Sequence, residues 1–150
     1  MRVEHINPFI QGTESVLKTV CSANTKLGKI YKKSAIPAGT YSISIELVGE
    51  LKGFVYYSMD EATACAIASK MMMGMPVPAL DDMSKSALCE LSNMISGNVA
   101  TIFSGMNLAV DIKPPIFSDG ASASPAGEFI AIPINIDDSF VLEINISFNE

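Results

Sequence analysis

Few residues in this sequence can do chemistry, and most familiar constellations are missing. There is one histidine, His5, in the N-terminal segment. A Ser-His-Asp triad, a Cys-His dyad or a histidine-rich zinc site would each hang on that one imidazole. The three cysteines, Cys21, Cys65 and Cys89, are odd in number, lack CxxC spacing and sit in apolar, helix-like stretches. They read as buried reduced thiols. Cys89 adjoins Glu90 but has no base partner, so a nucleophilic role is not expected of it.

What remains is one polar stripe. At 100° per residue, Ser86, Glu90, Asn93, Gly97, Thr101 and Ser104 fall within about 80° of one another on a helix. Leu88, Leu91, Ile95, Val99, Ile102 and Met106 fall on the other side as a coherent apolar face. A solvated stripe would carry Lys, Glu and Arg in i,i+4 pairs. This one carries a carboxylate, an amide, hydroxyls and a glycine. A glycine in mid-helix costs about 1 kcal/mol relative to alanine. Small residues around Glu90 and Asn93 leave room for another molecule. The spacing fits a docking or reaction face, or a helix face covered by the protein's own fold. Gly97 and Asn98 are read as giving close packing and a local hydrogen bond.

The elements that must position this stripe are legible in outline. Asn7-Pro8 reads as a helix start, followed by apolar residues at helical spacing to about Ala23. Residues 28–37 and 40–48 read as strands, and Gly49-Glu50 as a hairpin turn into 51–59. Ser58 with Glu61 forms a capping-box pattern that opens a helix ending near Gly74. Met71, Met72, Met73 and Met75 read as core and boundary packing rather than a binding groove. Asp81 and Asp82 are the N-terminal charge of a long helix, about residues 83–107. Residues 110–117 read as a strand interrupted by Pro114-Pro115, and 118–127 as a mobile polar loop. Two alternating segments, 128–136 and 139–148, meet at Asp137-Asp138, read as a turn rather than a metal site. Hairpins in place of crossovers predict an α+β fold with an antiparallel sheet, in one domain spanning 1–150.

Composition removes further classes. The chain has 150 residues and a net charge of −6, opposite in sign to a nucleic-acid-binding footprint. Aromatic residues are 7% and Trp is absent, which argues against base- or sugar-stacking platforms. Residues 91–110 carry no charge, yet only eleven of the twenty are apolar, too few for a membrane span. The N-terminus has no apolar signal region. A soluble, cytoplasmic protein is expected.

The stretch Ser86-Ala-Leu-Cys-Glu90-Leu-Ser-Asn93-Met-Ile-Ser-Gly97-Asn98 resembles the signature of the CheC/CheX/FliY family of chemotaxis phosphatases. That signature is Asp or Ser, three residues, Glu, two residues and Asn, with a following Gly-Asn. The order of elements extends the resemblance over the whole chain. Some members carry two such helices; others, of the CheX type, carry one. Glu4-His-Ile-Asn7 is a second ExxN by letter, but Pro8 disfavours helix at Asn7, so Glu4 and Asn7 are not expected to share a helical face. A single-motif, CheX-type chain is therefore expected.

The resemblance implies an antiparallel sheet with long helices on one side. It also implies a homodimer joined by edge-strand pairing, for which 128–136 or 139–148 would supply the open edge. It implies hydrolysis of the phosphoaspartate of a CheY-like receiver domain. No cofactor is expected on this chain, because the receiver brings its own Mg²⁺ and lysine. The chemistry left is positioning. Asn93 would hold the attacking water through its amide, and Glu90 would pair with the receiver's lysine. Ser86 and Gly97 would lie at the partner contact, Ser86 where the family often has an acid. A non-catalytic receiver-binding module and an unrelated α+β protein with a covered stripe are the rival readings.

Overall fold

Alternation in four long strands builds one apolar sheet face. These strands are β3 (Tyr41–Gly49), β4 (Gly53–Met59), β7 (Phe129–Ile136) and β8 (Phe140–Phe148), in a computed structural model that describes residues 3–120 and 127–149. All pair antiparallel, in register Ile45–Val55–Ile146–Ile130 and Ile43–Tyr57–Ile144–Ile132 across the sheet. Three helices bury against these rows: α1 (Val3–Cys21), α2 (Glu61–Met71) and α3 (Asp82–Gly105). Phe9 and Leu17 of α1, Ile67 of α2, and Leu88, Ile95 and Phe103 of α3 are almost completely buried in one core with the strands. The α+β architecture with an antiparallel sheet and its long helices packed on it is the one expected. No helix among the described residues is long and apolar enough to cross a membrane.

The sheet order is β1-β7-β8-β4-β3-β5. Each edge is made of two three-residue strands: β1 (Thr25–Leu27) and β2 (Tyr31–Lys33) on β7, β5 (Val110–Ile112) and β6 (Ile116–Ser118) on β3. The open edges expected at 128–136 and 139–148 do not exist, since β7 lies between β8 and the β1/β2 pair and β8 between β7 and β4. The strand expected at 28–37 is cut down to β2, and β1 forms just before that stretch. Pro133 sits in β7 between the residues that pair with β1 and those that pair with β2 and has no N–H to donate. Its carbonyl instead accepts from Gly28 N at 2.8 Å. The Pro114-Pro115 interruption between β5 and β6 is as expected. Most of the polar loop expected at 118–127 lies outside the described residues.

The turns follow from local chemistry. Asp137 and Asp138 both have positive φ, 51° and 57°, and Ser139 N donates to Ile136 O at 3.0 Å, as a type I′ turn requires. Asp137 is held by Asn24 N at 2.8 Å and by Lys70 at 3.0 Å, and the donated hydrogen bonds keep its carboxyl below the usual range. At Gly49 φ is +106° and a Cβ would lie 2.4 Å from Ala109 O, so only glycine fits.

Two helix starts differ from expectation. Helix α1 is already formed at Val3 and runs through Pro8, so Glu4 and Asn7 do share a helical stretch and are both exposed. Pro8 lies inside the helix, past the N–H groups that lack an intrahelical acceptor, and removes one backbone hydrogen bond there. Its local cost is offset by packing: Pro8 and Phe9 are buried, and the rings of His5 and Phe9 meet Phe103 edge-on at 6.3 and 5.9 Å. Helix α2 is capped by Asp60, whose Oδ1 accepts from Thr63 N at 2.8 Å, and not by Ser58. Ser58 remains in β4, its hydroxyl 3.1 Å from that of Ser42 and accepting from Asn145 Nδ2 at 3.1 Å.

Candidate functional site

Helix α3 is fixed at its start by a capping box. Asp81 Oδ1 accepts from Ser84 N at 2.8 Å, and Ser84 Oγ accepts from Asp81 N at 2.7 Å. Bonds donated to the Asp81 carboxyl by Ser84 N and, at 2.7 Å, by Ser84 Oγ hold it below its usual range. Rotation about the helix axis is fixed by Leu88, Leu91, Ile95, Val99 and Phe103, all buried. Phe103, four residues after Val99, completes that row. Met106, assigned from its spacing to the same face, lies past the last helical turn and is 38% exposed. Ile102 is only half-buried.

The polar stripe therefore points outward. Ser86, Glu90, Asn93, Thr101 and Ser104 are exposed and Gly97 is half-buried. Among the described residues, no hydrogen bond or ion pair engages the side chain of Glu90 or Asn93. They stand one turn apart, with about 5–6 Å expected between their Cβ atoms. The reading of the stripe as a face covered by the protein's own fold fails on this exposure.

Ser86, Cys89, Glu90 and Asn93 form one side of an open groove of about 390 Å³. The other side is the connector between β5 and β6, Ile112 to Pro115. Sequence reasoning missed this wall. The Pro-Pro pair signals a break in a strand, but its position beside α3 depends on β5 and β6 pairing with the distant β3. Exposed Met83 and Met94 flank Glu90 on the same side of the helix and were also missed.

Gly97 has a different role from the one its sequence suggested. A Cβ there would meet nothing within 4 Å, so no internal packing requires glycine. The close helix approach occurs at Gly12 of α1, where a Cβ would lie 2.8 Å from Val99 Cγ2 and 3.5 Å from Asn98 Oδ1. Gly97 instead opens onto a second groove, about 430 Å³, lined by Val16, Val20, Met94 and Thr101 between α1 and α3. Thr101 Oγ1 donates to Gly97 O at 3.1 Å.

The thiols are free, and burial pushes all three up from the usual thiol value. Cys89 lines the groove as a neutral thiol, and the imidazole of His5 is packed against Phe103 and Phe148. Among the described residues no group of three or more His, Cys, Asp and Glu could hold a metal ion, and the groove itself offers one carboxylate. An exposed acid and an exposed amide on a rigid helix, with no nucleophile–base pair, suit noncovalent positioning of a reactant brought by another molecule.

The family model described as chemotaxis phosphatase CheX matches residues 41–135, which contain all of α3. The CheY-P phosphatase CheX of Thermotoga maritima is 29% identical over 147 residues, covering 94% of each chain. A CheC-like superfamily protein from Shewanella sp. PV-4 superposes over 100% of both chains, with a TM-score of 0.87 and 28% identity. The CheX of a CheX–CheY–BeF3–Mg²⁺ complex from Borrelia burgdorferi is 30% identical, with a TM-score of 0.82 over 99% of this chain and 100% of that one. With the family model matched over residues 41–135, well over half of the chain, and the superpositions extending over nearly all of it, the chain belongs to the CheX family of chemotaxis phosphatases.

Proposed function

We propose that this chain hydrolyses the phosphoaspartate of a CheY-like receiver domain. Asn93 positions the attacking water, and Glu90 docks against the receiver's lysine. The observation that carries the reading is the pair itself: an unpartnered carboxylate and an unpartnered amide, one helical turn apart, facing an open groove. The relative from Thermotoga maritima bears the name CheY-P phosphatase, and the Borrelia burgdorferi relative was captured with CheY, BeF3 and Mg²⁺.

The reaction asks little covalent chemistry of this chain. Water attacks phosphorus in line, the bond from phosphorus to the acyl oxygen breaks, and the aspartate leaves as carboxylate with inorganic phosphate. Mg²⁺ belongs to the receiver and neutralises charge on the phosphoryl oxygens. The Asn93 amide accepts or donates a hydrogen bond to the water without introducing a negative charge beside the phosphoryl group. Glu90 fixes the register of docking, and Gly97 allows close approach of the partner backbone. Ser86, one turn before Glu90, lies at the edge of the same contact.

Residues 1–150 act as one phosphatase domain in the cytoplasm, where the receiver is phosphorylated. A homodimer would form through one of the short sheet edges, β1/β2 or β5/β6, whose outer backbone groups a two-fold copy could pair. The deciding experiment is phosphate release from a phosphorylated CheY-like receiver with Mg²⁺, with and without this protein. Acceleration supports the reading. Stable binding without acceleration would replace it with a non-catalytic receiver-binding module.

A further inference from the structure

The groove beside α3 is electrically two-sided. Glu90 is the carboxylate on the helix side, and Lys113 is the one cation among the described residues that line it. The backbone of Lys113 is well fixed: its N–H donates to Glu46 O at 3.0 Å, tying the connector to β3. Pro114 and Pro115 follow, with restricted φ and no N–H, and the residue before a proline is confined to extended backbone. The Lys113 side chain is free by comparison. Its Nζ is 3.7 Å from Glu46 Oε1, with the two side chains 57% and 38% exposed. An exposed ion pair of that length is weak and yields readily to a better partner.

We propose that Lys113 is a second docking residue for the phosphorylated receiver, pairing with anionic groups around its phosphoryl site while Glu90 takes the receiver's cation. This rests on the function proposed above. The chemistry requires such a group. The chain carries a net charge of −6 and must approach a partner surface made negative by carboxylates and a phosphoryl group. A cation tethered on one wall and a carboxylate on the other admit a partner in one orientation and oppose the reverse. The role is positioning, since Lys113 lies on the wall opposite the amide that would hold the water.

The test measures binding of a beryllofluoride–Mg²⁺-charged CheY-like receiver, beside turnover of the phosphorylated one. At low salt, Lys113→Met should weaken binding about 5-fold and Lys113→Glu about 10–50-fold, the differences shrinking as salt rises. The Lys113→Glu effect should appear in KM, with kcat within about twofold of wild type, and Lys113→Arg should restore binding. Glu46→Gln, which releases the lysine, should bind at least as tightly as wild type. A Lys113→Glu effect confined to the charged receiver identifies the phosphoryl group as the contact; an equal effect on the uncharged receiver identifies carboxylates. Unchanged binding in Lys113→Glu overturns the proposal, as does weakening by Glu46→Gln equal to that by Lys113→Met, which would mean a structural ion pair. If wild type binds in a Lys113-dependent way but does not accelerate hydrolysis, the phosphatase reading fails and the docking role stands. If wild type does not bind the receiver, both fail.

Discussion

Tyr57 of β4 and Ser96 of α3 join their hydroxyls at 2.8 Å, with both side chains buried under the helix layer. This contact pins the helix that carries Glu90 and Asn93 to the centre of the sheet. Burial pushes the Tyr57 phenol far above its usual value, so it remains a neutral hydrogen-bonding group at any working pH. Removing one partner leaves the other buried and unpaired. Tyr57→Phe should therefore lower stability by about 1–3 kcal/mol in urea unfolding. Tyr57→Phe combined with Ser96→Ala should cost less than the two single changes added together.

Asn93→Ala tests the chemical step. Loss of the water-positioning amide should slow phosphoreceiver hydrolysis by about 10–10³-fold, on the order of 1.4–4 kcal/mol. Binding of the beryllofluoride-charged receiver should persist, because the amide acts in the transition state. Wild-type turnover in this variant would refute the role.

Glu90 tests docking. Glu90→Ala should weaken binding of the charged receiver, and Glu90→Lys should weaken it more by facing a like charge across the contact. Since Glu90 is exposed on α3, neither variant should melt far from wild type. Equal affinities across all three proteins would remove Glu90 from the interface.

Replacing Cys21, Cys65 and Cys89 together by Ala should reduce stability, most through the buried Cys21, yet leave turnover intact. All three thiols are raised by desolvation, so none is a competent nucleophile at neutral pH. A folded triple variant without activity would contradict this.

Acid should loosen the helix starts. Asp60 and Asp81 cap α2 and α3, and accepted hydrogen bonds hold both below the unfolded value of 3.8. Their contribution is complete above that value and is lost as pH falls through the depressed folded values. Asn caps as well as Asp without ionising. The double variant Asp60→Asn, Asp81→Asn should therefore show a shallower fall in melting temperature below about pH 4 than wild type.

The site was legible where its signal is local. Helical period alone separated Glu90 and Asn93 from Leu88, Leu91 and Ile95, because each turn of α3 repeats the same sorting. The hairpin turns at Gly49 and at Asp137-Asp138 were legible for the same reason. Pro8 misled because a local backbone penalty was set against packing that only the folded chain reveals: His5 and Phe9 reach Phe103, far along the sequence. The short β1 and the limited extent of β2 were hidden because the pairing that makes both, around Pro133, lies in the distant β7. The groove wall at Lys113 was hidden because a strand pairing delivers it.

Glu90 and Asn93 ride on one unbroken helix, and this limits how the protein can be controlled. No hinge lies between them, so no domain motion or loop closure can assemble or dismantle the pair. A single residue inserted between them would turn one about 100° away from the other. Insertions in the 72–80 connector would leave their spacing untouched. Any regulator of this chain therefore has to act on access to the groove, by covering the helix or displacing the proline wall, and not on the geometry of the two groups themselves.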